Sequence, residues 1–249
     1  MKQASTTIAF LLLSGLLALH CNRPDLKELP QKVDIPSNQK SQTIVRYQKE
    51  NLAKILRKKN VPLGAPIFIR IFKEENELEM WAEKDGEAFV LLTTWPICKW
   101  SGKLGPKLRE GDRQSPEGFY YVTPSQMNPE SNYHLAFDLG YPNAYDKSYG
   151  RTGSDIMVHG ICGSLGCFAM TNPYIEEIWT MADAALRSGQ SFFRVHIFPF
   201  RMSPENMERH HNLEWQEFWE NLREGYDYFE REGRPPEVSV QNKEYVFNP

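Results

Sequence analysis

The chain has 249 residues, enough to bury a substantial hydrophobic core. Hydrophobic residues make up 41% of it and aromatic residues 12%, which excludes a disordered or collagen-like chain. The 29 Lys and Arg residues nearly balance the 32 Asp and Glu residues and form no long basic run, so the composition gives no support for a nucleic-acid partner. The four cysteines, at positions 21, 98, 162 and 167, are too few for a disulfide scaffold and lack the paired CxxC spacing of a zinc fold.

Residues 1–20 have the pattern of a secretory signal peptide. Lys2 precedes an uncharged apolar stretch from Ile8 to Leu19, which is shorter than the roughly 20 residues of a membrane-spanning helix and fits the apolar region of a signal. The segment ending in Cys21 is similar to a bacterial lipoprotein cleavage box, although His20 replaces the usual small residue. The pattern predicts an extracytoplasmic protein. Two alternatives remain open: lipid attachment at Cys21, with membrane association only through that anchor, or simple removal of the signal.

Without Cys21, three cysteines remain, which is an odd number. In an oxidising compartment at least one of them then has no intramolecular partner. The sequence therefore predicts a free and reactive thiol among Cys98, Cys162 and Cys167.

Residues 21–62 are predicted to form a tether followed by an amphipathic helix. Three prolines lie among polar residues before position 40, as in a linker. Apolar residues then recur with helical spacing from Ser41 to Lys59.

A meander of antiparallel strands is predicted next. Residues 67–72, 77–81 and 88–92 are rich in β-branched and aromatic side chains, and Asp85-Gly86 is typical of a tight hairpin turn. A glycine-punctuated loop follows, and residues 119–122 then predict a further strand.

Two helices and a hairpin are predicted after Cys167. Asn172 is expected to cap the first helix, with Pro173 at its first helical position. The second helix is expected to begin at Ser203-Pro204 and to carry one mainly aromatic face. That face comprises Leu213, Trp215, Phe218, Trp219 and Leu222. The chain is predicted to end in a hairpin that turns at residues 241–243.

The chemistry is predicted to lie between Asp155 and Met170. A strand-like apolar run ends at His159, a glycine-rich loop follows, and Cys167 lies just before a predicted helix. A neighbouring imidazole can accept a thiol proton and so produce the thiolate that attacks a carbonyl carbon. The glycines would let backbone amides approach a developing oxyanion.

Three other interpretations of these residues are open from the sequence. Cys167 could pack as a small buried hydrophobe. His159, Cys162 and Cys167 could bind a metal, although the spacing matches neither CxxC nor HxxxH. A disulfide between Cys162 and Cys167 would fit the glycine-rich loop and would silence the thiol.

Two motifs resemble the L,D-transpeptidase catalytic domain, or YkuD-like, family. His159-Gly160 followed by Ser164-x-Gly166-Cys167 and a helix is similar to its catalytic signature, and residues 111–119 resemble its strand-entering segment. Five further segments are similar to the YafK-type branch of this family: residues 71–75, 97–102, 104–107, 141–146 and 199–202. The resemblance runs from about Gly64 to the C-terminus.

The resemblance implies an α+β, β-rich fold of two packed mixed sheets with peripheral helices. The catalytic domain would span residues 63–202, with the helix and hairpin of residues 203–249 packed on it. The family acts on peptidoglycan stem peptides outside the cytoplasm, and its reaction needs no metal or organic cofactor.

The resemblance also assigns roles to individual residues. Cys167 would be the nucleophile and His159 the general base, with the carbonyl of Gly160 orienting the imidazole. The oxyanion hole would consist of the amides of Leu165, Gly166 and Cys167. The candidate substrate-binding residues are Tyr145, Asp146, Tyr149 and Ser164.

Two positions depart from the family pattern: Leu165 stands where many members have His, and Ala169 stands where many have an Arg that helps to bind the donor. The leading hypothesis is a cysteine acyltransferase that attacks the L-centre carbonyl of diaminopimelate. The alternative is an amidase that uses the same thioester to release a lysine-linked outer-membrane lipoprotein from peptidoglycan. A remote third hypothesis is a non-catalytic wall-binding lipoprotein.

Overall fold

The computed structural model describes residues 34–86, 88–211 and 214–248. The predicted signal peptide, Cys21 and the first part of the predicted tether lie outside these residues. Each helix among the described residues is too short or too polar to traverse a bilayer.

The described residues contain helices, strands and one 3-10 turn. The helices are α1 (Gln39–Lys59), α2 (Ala144–Ser148), α3 (Asn172–Arg187), α4 (Pro204–Arg209) and α5 (Gln216–Glu232). The strands are β1 (Ile67–Phe72), β2 (Glu77–Glu83), β3 (Phe89–Pro96), β4 (Gly118–Val122), β5 (Met127–Asn128), β6 (Ala136–Asp138), β7 (Met157–His159), β8 (Phe168–Ala169), β9 (Phe193–Phe198), β10 (Glu237–Gln241) and β11 (Glu244–Asn248). The 3-10 turn covers Pro124–Gln126.

Two mixed sheets form the body of the fold, and they confirm the predicted fold class. The larger has the order β3-β2-β1-β9-β4, with β1 and β9 parallel and its other pairs antiparallel. The smaller has the order β5-β6-β7-β8, with β7 and β8 parallel. Strands β10 and β11 form a separate two-stranded sheet, which is the predicted terminal hairpin.

The main hydrophobic core contains side chains from both mixed sheets. Ile69 and Val195 of the larger sheet share one cluster with Phe137 and Val158 of the smaller sheet, and helices α1 and α3 add buried residues to it. Helix α1 begins as predicted near Ser41, because the Asn38 side chain accepts the Ser41 N–H at 2.8 Å and caps it. The sheet that carries His159 is therefore held by a continuous core.

The C-terminal elements pack on the other face of the larger sheet. Adjacent strand residues point to opposite faces, and whereas Ile197 belongs to the main core, Phe198 belongs to a second cluster with Trp219 of α5 and Tyr245 of β11. With both faces covered, all six residues of β1 are buried, including a charged arginine.

Two details of the predicted helices are wrong. The helix expected from Ser203 is two helices, because α4 ends where His210 stacks on Phe200 at 4.2 Å and bonds Glu74 at 3.0 Å. Leu213, which was expected on its apolar face, lies outside the described residues. Residue Asn172 does not cap α3, and Thr171 takes the cap position.

A buried ion pair joins β1, the loop before β4 and α5. The Lys73 side chain is fully buried, and its Nζ donates to Glu117 Oε1 at 2.8 Å and to the carbonyls of Gly105 and Ser115 at 2.9 and 3.1 Å. Glu117 also accepts the indole N–H of Trp219 at 2.8 Å. Burial lowers the pKa of Lys73, and the carboxylate of Glu117 opposes that shift.

We expect Lys73→Met to lower the free energy of unfolding by about 3–5 kcal/mol, because the carboxylate of Glu117 then stays buried without its counter-charge. Urea denaturation measures the change. The matched control is Lys54→Met on the exposed face of α1, which we expect to change stability by less than about 0.5 kcal/mol. Equal unfolding midpoints for the two variants would show that the buried pair does not stabilise the fold.

Candidate active site

Parallel pairing of β7 with β8 brings the two predicted catalytic residues to one edge of the smaller sheet. His159 is the last residue of β7, and Cys167 immediately precedes β8. The register pairs Val158 with Phe168 and His159 with Ala169. Alternate residues on paired strands share a face, so the pairing places the histidine and the cysteine on the same side of the sheet.

The thiol of Cys167 is held by backbone groups of the segment that leads into β7. The N–H of Met157 donates to Sγ at 3.4 Å, and Sγ lies 3.5 Å from the carbonyl oxygen of Asp155, to which the S–H can donate. Burial raises the pKa of Cys167, as do the carboxylates of Asp138 and Asp155, while the Met157 amide and Lys107 act against the increase. The resting residue is therefore a neutral thiol at pH 7.

The imidazole of His159 is oriented by the carbonyl of the next residue. Its Nδ1 lies 2.6 Å from the carbonyl oxygen of Gly160. A carbonyl can only accept, so Nδ1 carries the hydrogen and Nε2 keeps a free lone pair. His159 is buried beside the ring of Tyr133, at 4.7 Å between centroids, and burial lowers its pKa.

Burial thus disfavours the charged form of both groups. Within the described residues no hydrogen bond joins the imidazole to the thiol. A neutral thiol beside a neutral imidazole suits proton transfer that accompanies nucleophilic attack, because catalytic hydrogen bonds often tighten only when substrate is bound.

Glycine is required at position 160 by close packing. A Cβ atom there would lie 2.8 Å from the side-chain oxygen of Asn172, 2.8 Å from the Tyr133 carbonyl and 2.9 Å from the His134 side chain. The same Asn172 oxygen accepts the N–H of Ile161 at 2.9 Å, which is why this side chain does not cap α3. The close packing fixes the peptide whose carbonyl orients His159.

The predicted oxyanion hole needs one correction. The N–H of Gly166 already donates to Ser101 Oγ at 2.6 Å and is not available to a substrate oxygen. The amides of Leu165 and Cys167 have no hydrogen-bond partner in the part of the chain that the structure describes. These two amides are the remaining candidates for the oxyanion hole.

Ser164 contacts the backbone of the nucleophile. Its hydroxyl donates to the carbonyl oxygen of Cys167 at 2.7 Å, and the hydroxyl of Ser115 donates to the same oxygen at 3.2 Å. Ser164 was predicted to bind substrate, and in this structure its hydroxyl instead holds the residue that carries the thiol.

Tyr145 and Asp146, two predicted substrate-binding residues, are both buried in the core. Tyr145 stacks on Tyr245 at 4.3 Å, and Asp146 is fully buried in an ion pair with Arg151 at 2.8 Å. The Asp146 carboxylate also accepts the hydroxyl of Tyr120 at 3.0 Å, so its oxygens already have partners within the core. Tyr149 lines a cavity of about 440 Å³ whose lining includes neither His159 nor Cys167.

The sequence did not reveal a cavity of about 560 Å³ whose lining also lacks His159 and Cys167 but includes the segment that leads into β7. Its lining includes Asp155 and Met157, whose backbones contact the thiol, together with the carboxylates of Asp138 and Glu130. Burial and the neighbouring Asp155 raise the pKa of Asp138. The cavity is formed where residues 36–37 meet segments of β5, β6 and β7, so no local motif marks it.

Cys98 and Cys162 form a disulfide, which decides between the pairings that the sequence left open. The segment after β3 lies beside β8, where Lys99 forms a bridge with Ala169, and this brings Cys98 to the loop that contains Cys162. Cys167 is the free cysteine of the described residues. A disulfide between Cys162 and Cys167 and a metal site that uses Cys162 are therefore both wrong, and the described residues hold no cluster of three or more potential metal ligands.

A free thiol and a buried imidazole on the same side of a sheet, with Nδ1 held by a carbonyl so that Nε2 can accept a proton, match the arrangement of cysteine acyl-transfer enzymes. The family model for YkuD, the L,D-transpeptidase catalytic domain, matches residues 66–225. The chain belongs to this family.

Two relatives that share half of the aligned residues agree with this assignment. Two proteins named "Putative L,D-transpeptidase YafK", from Escherichia coli strain K12 and from Escherichia coli O157:H7, are each 50% identical to the chain over 184 residues, which is 74% of this chain and 74% of theirs. Among solved structures, the helical cell shape determining protein Pgp2 from Campylobacter jejuni is 18% identical, with a TM-score of 0.42 over 78% of this chain and 80% of that chain.

We expect a thiol-labelling reagent to modify Cys167 alone among Cys98, Cys162 and Cys167 in the unreduced protein, because the other two are joined. Peptide mapping by mass spectrometry without reduction checks this, and Cys167→Ala should remove the label. Recovery of a peptide that joins Cys162 to Cys167 would contradict the assignment.

We expect His159→Ala to slow alkylation of Cys167 by iodoacetamide near neutral pH, because the thiol then lacks its proton acceptor. In the unaltered protein the rate should fall with decreasing pH, through a midpoint below the ordinary histidine value of 6.5, since burial lowers the pKa of His159. The control is His211→Ala at an exposed position. An unchanged rate and pH profile in His159→Ala would remove His159 as the base.

Proposed function

We propose that this protein is an extracytoplasmic, peptidoglycan-directed cysteine acyltransferase of the L,D-transpeptidase type. The observation that carries the proposal is the placement of His159 and free Cys167 on one side of the β7 and β8 pair, in a chain of this family. The predicted signal peptide and the peptidoglycan chemistry of the family support an extracytoplasmic site of action.

Acylation begins with attack of Cys167 Sγ on the L-centre carbonyl of diaminopimelate in a stem peptide. His159 Nε2 takes the thiol proton as the S–C bond forms, and the carbonyl π electrons move to oxygen. The amides of Leu165 and Cys167 then donate to that oxyanion. Collapse re-forms the carbonyl and expels the amine attached there, and the imidazolium returns the proton to this leaving group.

The thioester can then be resolved in two ways. An amine of a second stem peptide attacks the carbonyl and gives a cross-link, or water attacks and gives a free carboxyl group. In either case His159 accepts a proton from the attacking group and returns it to the departing thiolate. The nucleophile and the base are therefore the same for transpeptidation and for hydrolysis.

The cavity lined by Asp155 and Met157 suits the amino groups of this substrate. Its carboxylates, at Asp138, Asp155 and Glu130, make no ion pair with a basic residue in the described ranges. A primary ammonium group next to the reacting carbonyl would provide the missing positive charge. We therefore assign this cavity to a diaminopimelate centre of the stem peptide.

Hydrolysis is the second candidate, and the observation that favours it is at Ala169. This residue is completely buried and hydrogen-bonded to Lys99, so the position that carries an Arg in many family members offers no charge to a substrate. In this form of the proposal, the leaving group is the terminal lysine of a peptidoglycan-linked outer-membrane lipoprotein. Anchoring of the enzyme through lipidated Cys21 would place it near such a partner.

Incubation of the purified protein with diaminopimelate muropeptides, with and without a lysine-linked lipoprotein, tests the proposal. We expect products that depend on Cys167, because both reactions pass through its thioester. Mass spectrometry distinguishes new cross-links, which indicate transpeptidation, from freed lipoprotein, which indicates amidase activity.

The control for these assays is Cys167→Ala, which should abolish both products while it retains the fold. Binding to sacculi that persists in Cys167→Ala, with no product and no acyl-enzyme from the unaltered protein, would contradict the enzyme and indicate a wall-binding module. Equal reactivity of Cys167 and reduced Cys98 with a thiol probe would also count against a catalytic cysteine.

A further inference from the structure

Ser101 lies in a segment that contacts β8 and the loop between β7 and β8. The N–H of Cys98 donates to the carbonyl of Ala169 at 2.8 Å, and the N–H of Ala169 donates to the carbonyl of Lys99 at 2.8 Å. The Cys98–Cys162 disulfide ties the same segment to the loop between β7 and β8. Lys99 therefore forms a single β-bridge with Ala169 of β8, which places Ser101 two residues further along.

The side chain of Ser101 takes part in a chain of hydrogen bonds that spans the nucleophile. The Gly166 N–H donates to Ser101 Oγ at 2.6 Å, Ser101 Oγ lies 3.4 Å from Ser164 Oγ, and Ser164 Oγ donates to the carbonyl of Cys167 at 2.7 Å. An amide N–H can only donate and a carbonyl oxygen can only accept. Both hydroxyl protons must therefore point the same way, from Ser101 to Ser164 to the Cys167 carbonyl.

Ser101 is itself held rigidly. Its N–H donates to Ser115 Oγ at 3.1 Å and its carbonyl accepts the Ser115 N–H at 2.9 Å. The carbonyl of Ser115 in turn accepts from the buried Nζ of Lys73. Ser101 is therefore linked to the buried core of the domain through Ser115 and Lys73.

The chain holds two peptide groups near the thiol, through the N–H of Gly166 and the carbonyl of Cys167. Gly166 has a φ of +120°, in a region that residues with side chains rarely adopt, and its N–H is drawn towards Ser101. With that amide taken, the neighbouring amides of Leu165 and Cys167 are left without a partner among the described residues.

We propose that Ser101 is a positioning residue that selects the amides of the oxyanion hole by holding the N–H of Gly166 away from the substrate. The proposal rests on the proposed function, because an oxyanion forms only in acyl transfer. Ser101 touches neither the thiol nor the imidazole, and it acts through Gly166 and Ser164.

Two reactions of the same thiol separate this role from a structural one. Alkylation by iodoacetamide displaces iodide at a tetrahedral carbon and forms no oxyanion, whereas acylation by p-nitrophenyl acetate forms an oxyanion before it releases p-nitrophenol. The rates are measured for Ser101→Thr and Ser101→Val, which have the same shape and differ in the hydroxyl group. The Cys167→Ala protein gives the background rate, and Ser239→Ala on β10, at an exposed position, is the remote control.

We expect Ser101→Val to acylate about tenfold to a hundredfold more slowly than Ser101→Thr, since misplaced oxyanion donors cost rates of this order. The alkylation rate and its pH profile should stay the same in both. By contrast, His159→Ala should slow both reactions. Urea denaturation confirms that the variants compared are folded, and Ser101→Ala provides a smaller substitution with the same expectation.

Equal acylation by the Thr and Val variants would overturn the proposal, as would an equal loss of acylation and alkylation in Ser101→Val. A failure of the proposed function has a different signature. In that case the unaltered protein would be alkylated at Cys167 but not acylated there by the ester or by a stem peptide.

Discussion

The parallel pairing of β7 with β8 is the constraint on which the site depends. Parallel strands normally need a long crossover, yet here only a short loop separates the two, and each strand is very short. The pairing holds because other elements support it from outside. Lys99 forms a bridge with Ala169 of β8, the disulfide links this segment to the loop between β7 and β8, and the Asn172 side chain accepts the amide N–H of Ile161. The histidine and the cysteine therefore face the same way through support that comes from distant parts of the chain.

The electrostatic environment fits this view of a site assembled by backbone geometry. Burial raises the pKa of Cys167 and lowers that of His159, so the resting site carries no preformed thiolate and imidazolium pair. Charge develops only when a carbonyl carbon is present to receive the sulfur electrons. Proton transfer from Cys167 to His159 is therefore expected to accompany attack on the carbonyl carbon.

The proposed catalytic pair, His159 and Cys167, is marked in the sequence by local signals. His159-Gly160 and Ser164-x-Gly166-Cys167 lie within a few residues of one another, and glycine at position 160 reflects contacts that exclude any larger residue. The hairpins are also marked locally by their turn residues, and α1 is marked by the helical spacing of its apolar residues. Ser101 as the partner of Gly166, and Cys98 as the partner of Cys162, could not be predicted. Both contacts join residues more than sixty positions apart, and only the pairing of the 98–101 segment with β8 creates them. The same reason explains why Tyr145 and Asp146 were placed in the site, since their burial depends on α5 and β11.

The Cys98–Cys162 disulfide has a consequence for how the protein reaches its active form. Its loop spans a sequence separation of 64 residues, whereas closure between Cys162 and Cys167 would need only a very short loop and would cost less chain entropy. Oxidation before the sheet forms would therefore favour the bond that consumes the nucleophile. Pairing of the 98–101 segment with β8 reverses that preference by bringing Cys98 to Cys162. The order of events during maturation, with strand pairing before oxidation, thus decides whether a given molecule emerges with its catalytic thiol free.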